Sequence, residues 1–580
     1  MTSRRATIRT SLAVGAIAVI CGLLTAALQA QFGGGPPPYT PAKDAKDLRA
    51  VLFNWAWHMG MLRGIDEHEL IVSLEYQASG GTIQVDGQPC TLTKYRVSIN
   101  YQTPGERVQY TCTRANGQAY SNTEVVSGQY AWNEDIPGAE IVPGKGKATP
   151  MPAAVQERLI RLWTSPLGAP KAAILGVNEK AELGANPATL LSDGVTKAGS
   201  TTLAWENGKP VLTFSIPGVP GATATATLDA KYMAERVVVK QGSTTTEFAY
   251  GGYKDWNNPL NQVEVLYAGR LTERRNGAVV RDLTTKETET GSVYVVMPVP
   301  ASVQKAITPS VPPPPERPHP VASKLTADNQ PTPRRPDGHP DLAGSWQSSG
   351  FFNWRYGFRR CGPTQPADCS PTINQTMDYE FEAPSRFGPN RPLYKPEHWD
   401  KVQYLDMWTN KEDPVMTCQP LGIPRHGAPS RITQTDRDVL FLYRAGVDGG
   451  GGYGEYRVVP TDGRKRDPKR EVETTFYGYT IGHWEGDTLV LDSTSFVDTT
   501  WLARGGFFHS DQMHVVEKFT RQGNQILYEV TVEDPQVLAA PWVMAPRVMR
   551  LIPNPDAGLV QERGNCEVYE EGVVTSQIRH

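Results

Sequence analysis

A chain of 580 residues exceeds what one hydrophobic core organises, so two or three domains are expected. Its formal net charge of −3, with charged residues at 21% and no long basic run, points away from nucleic acid and polyanion partners. Glycine and proline are abundant, at 54 and 48 residues, which favours many short strands and tight turns over long helices.

The chain opens with Arg4, Arg5 and Arg9, then an apolar run from Leu12 to Leu28, closing on Leu28-Gln29-Ala30. That order predicts an export leader over residues 1–30, cleaved near Ala30. An uncleaved anchor is the rival reading, because the run approaches the ~18 residues that span a bilayer. Gly15, Gly22 and Thr25 dilute the run, and residues 31–42, with the tract Gly33–Pro38, read as a flexible segment after a cleavage site. Cys21 belongs to the leader, since Ile20 stands where a small residue precedes a lipidated cysteine. Arg4-Arg5 partly matches a twin-arginine signal, with Thr7 at the usual aromatic position, so the export route stays open between that and general secretion. Export to the periplasm or beyond implies that disulfides persist and that no nucleotide cofactor is supplied. No cofactor is expected.

From residue 43 to 297 alternation dominates. Leu70–Tyr76, Leu92–Tyr101, Arg107–Cys112, Pro210–Ile216, Ala222–Leu228, Arg236–Lys240 and Thr244–Tyr250 read as half-buried strands. Helices are predicted over Lys43–Met61, with Leu48, Leu52, Trp55 and Met59 on one side, and over Ala153–Trp163, through Val155, Leu159 and Leu162. The segments Glu75-Tyr76-Gln77-Ala78-Ser79-Gly80, Tyr130-Ala131-Trp132-Asn133-Glu134 and Gly251-Gly252-Tyr253-Lys254-Asp255-Trp256 resemble the lipoprotein-carrier fold. That resemblance implies an open half-barrel lidded by helices over an apolar cavity. Such a lid would present Trp55 and Trp57 to a lipid-like ligand; plain core packing is the alternative for both.

Residues 298–340 hold Val311-Pro312-Pro313-Pro314-Pro315 and Pro331-Thr332-Pro333-Arg334-Arg335-Pro336, which predict a semi-rigid spacer in an extended conformation. Asp341-Leu342-Ala343-Gly344-Ser345-Trp346 then opens a second domain, residues 341–580. Strands follow at Val439–Arg444, Tyr456–Pro460, Thr475–Trp484, Thr488–Ser493, Met513–Arg521, Ile526–Glu533 and Arg547–Ile552. The Gly-x-Trp opening resembles lipocalin-like barrels, which implies a closed antiparallel meander with the tryptophan at its bottom. This half also resembles an uncharacterised family of secreted two-domain bacterial proteins. The carrying residues are Pro424-Arg425-His426-Gly427-Ala428-Pro429-Ser430-Arg431-Ile432, Ile481-Gly482-His483-Trp484-Glu485-Gly486-Asp487-Thr488-Leu489-Val490 and Thr531-Val532-Glu533-Asp534-Pro535. It implies a fold and no activity. The fold class expected is mainly β, with two antiparallel domains, an open half-barrel and then a closed small barrel.

Six cysteines remain beyond the leader. Pairing within halves is expected, Cys90 with Cys112, Cys361 with Cys369 and Cys418 with Cys566; free buried thiols are the alternative.

Groups suited to acid–base work crowd the second domain. His483 and His514, with Glu485 and Asp487 as orienting carboxylates, are the expected catalytic residues if the barrel is an enzyme. A hairpin turn is the competing reading of His483–Asp487. Strand alternation puts His514 and Glu517 on opposite faces. Arg425, His426, Arg431 and Arg457 are the expected ligand-binding residues, and internal ion pairs are an equally natural use of the arginines. His426, His483, His509 and His514 match no metal-ligand spacing, so no metal is expected. Ser430, Ser493 and Ser510 stand in no nucleophile motif. The leading expectation is an exported protein binding a hydrophobic or amphiphilic small molecule. The second is a periplasmic or extracellular hydrolase or lyase in the C-terminal barrel, and the third an envelope scaffold.

Overall fold

In the computed structural model the described residues are 44–61, 73–101, 104–177, 200–256, 266–291, 294–311, 324–348, 391–407, 412–443, 455–503, 506–544 and 546–554. The proposed leader, the segment 31–42, and Cys361, Cys369 and Cys566 lie outside them. The chain is mainly β, built on two large antiparallel sheets of 14 and ten strands. No described helix is long and apolar enough to cross a membrane.

The first sheet runs in hydrogen-bonded order from Ala148–Pro150 through Tyr130–Glu134, Ala119–Ser127, Gly105–Arg114, Gln88–Asn100 and Ser73–Ala78. It continues through Ala278–Gly291, Arg270–Arg275, Thr244–Gly251, Ala234–Gln241, Thr223–Leu228 and Lys209–Ser215 to Thr202–Glu206. Among the described residues its two edges do not pair with each other, so the sheet stays open. Helix α1 (Leu48–His58) starts where the Asp47 carboxylate accepts from the Ala50 amide at 2.9 Å, five residues inside the predicted start. Helix α2 (Val155–Thr164) lies on Gly105–Arg114 and Ala119–Ser127, while its partner α3 (Gly168–Leu175) lies on Lys209–Ser215 near the far edge. One packed helix pair can touch both ends only if the sheet curls around it. Tyr250 closes that curl by donating its hydroxyl to the Thr164 carbonyl at the end of α2. Cys90 and Cys112, on adjacent strands with Cα atoms 5.5 Å apart, form the expected disulfide. Cys418 is disulfide-bonded as well.

The second sheet runs Tyr456–Pro460, Asp438–Leu442, Arg431–Gln434, Gly344–Ser348, Arg547–Leu551, Gln525–Glu533, His514–Gln522, Thr488–Thr494 and Tyr479–Glu485. The first strand of the domain, Gly344–Ser348, pairs with both the second, Arg431–Gln434, and the last, Arg547–Leu551, so this sheet is nearly closed. At the remaining seam a Cβ on Gly482 would lie 2.8 Å from Thr461 and 3.3 Å from Val459. Only a glycine lets these edges approach so closely. Trp346 is buried at the hairpin end, donating to the Leu342 carbonyl at 3.0 Å with the Arg521 guanidinium 5.1 Å over its ring.

The stretch read as a spacer is laid against both domains where it is described. Helix α4 (Ala301–Ala306) sinks Val303 beside Trp132, Val125 and Ala148, because its apolar side chains find an uncovered outer face of the first sheet. Farther on, Asp328 accepts from the Asn524 amide at 2.8 Å and Arg334 makes paired bonds of 2.8 and 2.7 Å to Asp487, pinning residues 324–340 to the second barrel.

The domains also meet directly. Residues 294–297 alternate, Tyr294 and Val296 packing with the second core, Val295 and Met297 with Val125, Trp132 and Ala148 in the small apolar cluster on the outer face of the first sheet. Helix α5 (Trp399–Met407) covers the outer face of the first sheet, where the Arg107 guanidinium sits 4.6 Å over the Trp399 ring. A cleft of about 320 Å³ opens at this junction. Its charged groups are paired, Arg96 with Glu75 at 2.8 Å and Asp400 at 2.7 Å, and Arg107 and Glu397 with Glu134 and Lys145 outside the lining.

Candidate functional site

Strand alternation lines the C-terminal barrel with Phe441, Val459, Leu491, Val515, Phe519 and Val530, and sets a polar group among them. Arg457 shares the inward face of its strand with Val459, and Glu517 shares its own with Val515 and Phe519. Glu517 is wholly buried and accepts from Arg457 Nη2 at 2.6 Å on one oxygen and from the Tyr528 hydroxyl at 2.8 Å on the other. Burial alone would weaken Arg457 as a base, but the Glu517 charge beside it raises its pKa and keeps it ionised. The guanidinium lies 5.4 Å over the Phe441 ring. Its Nε and Nη1, and the hydroxyl of Tyr443, are buried without a partner among the described residues. Each such donor costs about 1–3 kcal/mol when nothing accepts from it. Burial pushes the Tyr443 phenol upward, so it stays an O–H donor.

A second set of groups sits next to the first. Tyr477 donates its hydroxyl to Glu455, and the same oxygen lies 2.5 Å from His426 Nδ1. Since the phenol's one proton goes to the carboxylate, Nδ1 must carry a proton of its own, and the lone pair of the neutral ring falls on Nε2. A carboxylate thus fixes the tautomer of a histidine through a tyrosine, which is the arrangement a general base needs. The His426 ring lies 4.7 Å from that of Tyr443, and Tyr443 stacks on Tyr477 at 5.5 Å. The unpaired donors and the histidine therefore share one aromatic cluster at the end of the barrel where Tyr443 leaves its strand and Glu455 enters the next.

The residues expected from sequence are only partly brought together. Arg457 and His426 belong to this cluster. Arg425 is buried beside it but committed to Asp413 through bonds of 2.6 and 2.9 Å, an internal pair. Arg431 begins an antiparallel ladder strand and is half-buried. His483 and Glu485 meet at 3.2 Å on an exposed hairpin, and Asp487 in the same turn is taken by Arg334. His514 faces outward between Asp492 at 3.2 Å and Glu533 at 3.3 Å. His483, His514 and His426 do not converge. In the first domain Trp55 is fully buried in the core, and Trp57 packs half-buried against Phe53. No group of histidine, cysteine and carboxylate residues that could hold a metal occurs among the described residues.

Sequence reading named Glu517 among its acid–base candidates and missed Tyr443, Glu455, Tyr477 and Tyr528 as site residues. For Glu517 the signal was present, a carboxylate on the apolar face of its strand. Tyr477 and Glu455 gave none, because their meeting depends on how two strand ends adjoin. No protein-family model matches the chain, and no curated protein matches it.

Proposed function

We propose that this is an exported protein that binds an amphiphilic small molecule, with the C-terminal barrel as its chamber. The observation that carries the reading is the set of three buried donors with no partner among the described residues, Arg457 Nε and Nη1 and the Tyr443 hydroxyl, in an aromatic interior. A ligand oxygen accepting from them would orient a molecule whose apolar body is buried by the barrel wall. Titration calorimetry with dodecanoate and 1-monododecanoylglycerol tests this. Tyr443→Phe and Arg457→Met should each weaken binding at least tenfold, and full affinity in both variants removes the barrel as the site.

The His426–Tyr477–Glu455 chain favours a second reading, a hydrolase acting on the bound molecule. It moves the acid–base role from His483 and His514 to His426. Hydrolysis of 4-nitrophenyl octanoate that vanishes in His426→Gln and survives in His483→Gln supports it; equal rates in both variants and wild type exclude it.

A further inference from the structure

We propose that the inner face of the N-terminal sheet holds a separate binding site for an uncharged, acceptor-rich head group, built by Tyr95, Arg161, Arg281 and Tyr267. Helix α2 drives Arg161 into the curled sheet, where Nε donates to Glu106 at 2.5 Å and Nη1 to Glu124 at 2.9 Å. The remaining nitrogen, Nη2, is buried and unpaired among the described residues. From the opposite wall Arg281 brings its guanidinium 5.9 Å from the centre of the Tyr95 ring, and its Nε is likewise unpaired. The hydroxyls of Tyr95 and Tyr267 complete the set, both residues buried and neither hydroxyl bonded among the described residues. Tyr76 links them, its ring 6.3 Å from Tyr95 and 5.3 Å from Tyr267. Burial raises both phenols, so each presents a proton at neutral pH.

Four unsatisfied donors in one interior are far from the usual state of a folded protein, in which buried polar groups are paired. Against them stands one unsatisfied acceptor in the same network, Glu273 Oε2, 3.6 Å from Arg281. The missing partner therefore carries more acceptors than donors. Its charge follows from the neighbours. Arg158, Arg161, Arg275 and Arg281 already face Glu106, Glu124, Glu157 and Glu273, four charges against four, with burial raising the Glu106 carboxyl and Arg161 beside it opposing that rise. Burial works to raise the Glu124 carboxyl, yet the surrounding arginines, Arg161 foremost, hold it at about 2, so it is ionised and its charge is spent. An anionic head group would enter without a counter-charge, at a desolvation cost an ester or hydroxyl group avoids. An acylglycerol-like head group, with its chain along the Tyr76 wall, has this chemistry.

The proposal shares with the barrel reading only its class of ligand, and one experiment separates them. Native mass spectrometry of the full chain, titrated with 1-monododecanoylglycerol and in parallel with dodecanoate, counts bound copies. Two copies of the glyceride should bind. Tyr95→Phe should weaken one of them at least tenfold while leaving the copy that Tyr443→Phe weakens. Because the Tyr95 hydroxyl has no partner among the described residues, Tyr95→Phe should melt no lower than wild type, so loss of binding cannot be loss of fold. Arg281→Met should weaken the same copy. Binding unchanged in Tyr95→Phe, a melting temperature lowered by several degrees in that variant, or dodecanoate bound as tightly as the glyceride at this site each overturns the proposal. A Tyr95-sensitive copy with no effect of Tyr443→Phe overturns the barrel reading alone.

Discussion

Tyr528 donates its hydroxyl to Glu517 on the carboxylate oxygen that Arg457 leaves unused, at 2.8 Å, inside a barrel otherwise lined with apolar side chains. A carboxylate held this way is tolerated only while both partners remain. Arg457→Met should destabilise the protein by about 3–5 kcal/mol, because it strands a buried charge. Adding Glu517→Gln to that variant should recover a large part of the loss. Urea unfolding midpoints of the single and double variants check this, and identical midpoints for wild type and Arg457→Met contradict it.

Tyr443→Phe should behave in the opposite way. Its hydroxyl is buried and bonds to nothing among the described residues, so removing it should leave stability unchanged or raise it by up to about 1 kcal/mol. Differential scanning calorimetry reads the sign, and a clear loss means the hydroxyl is already satisfied in the resting protein.

His509 makes stability depend on pH. Its Nδ1 donates to the Ser510 carbonyl at 2.8 Å and its Nε2 accepts from Thr500 at 2.6 Å, which specifies the neutral ring, and burial lowers its pKa. The unfolded ring protonates near the ordinary histidine value of about 6.5, while the folded ring resists. The contribution is therefore complete above about pH 6.5 and is lost as the pH falls below it, since the unfolded state then binds the extra proton. His509→Gln should flatten the difference in urea midpoint between pH 8 and pH 5. An unchanged slope assigns that dependence elsewhere.

Cys90 and Cys112 close a loop with a sequence separation of 22. Replacing both by alanine should cost about 3 kcal/mol, chiefly through the freedom returned to the unfolded chain. A fully reduced wild type melting at the temperature of the oxidised protein contradicts this.

The strands of the first domain were legible because alternation is local; Thr223–Leu228 and Thr244–Gly251 fall within one residue of their sequence reading. The disulfide was legible for the same reason, its two cysteines being on successive segments. Helix α3 was not, since Gly168-Ala169-Pro170 and small apolar residues carry no helical periodicity and the segment is held by burial against α2 and the sheet. In the second domain the reading favoured outward-facing histidines, exposed His483 and half-buried His514, whose partners are neighbours on the same hairpin or ladder. The buried cluster assembles Arg457, Glu517 and Tyr528 from three strands and His426 from a turn, a convergence set by register around the barrel that no window of sequence contains.

The alternating residues 294–297 have a consequence for how the molecule comes apart. Tyr294 bonds to the backbone at Pro392 and Tyr394, while Val295 accepts from Asn100 of the first sheet. Melting either half strips one side of this ribbon and bares apolar side chains that the other half was covering. The two halves should thus yield to heat in a single cooperative event, behaving as one thermodynamic body despite their separate cores.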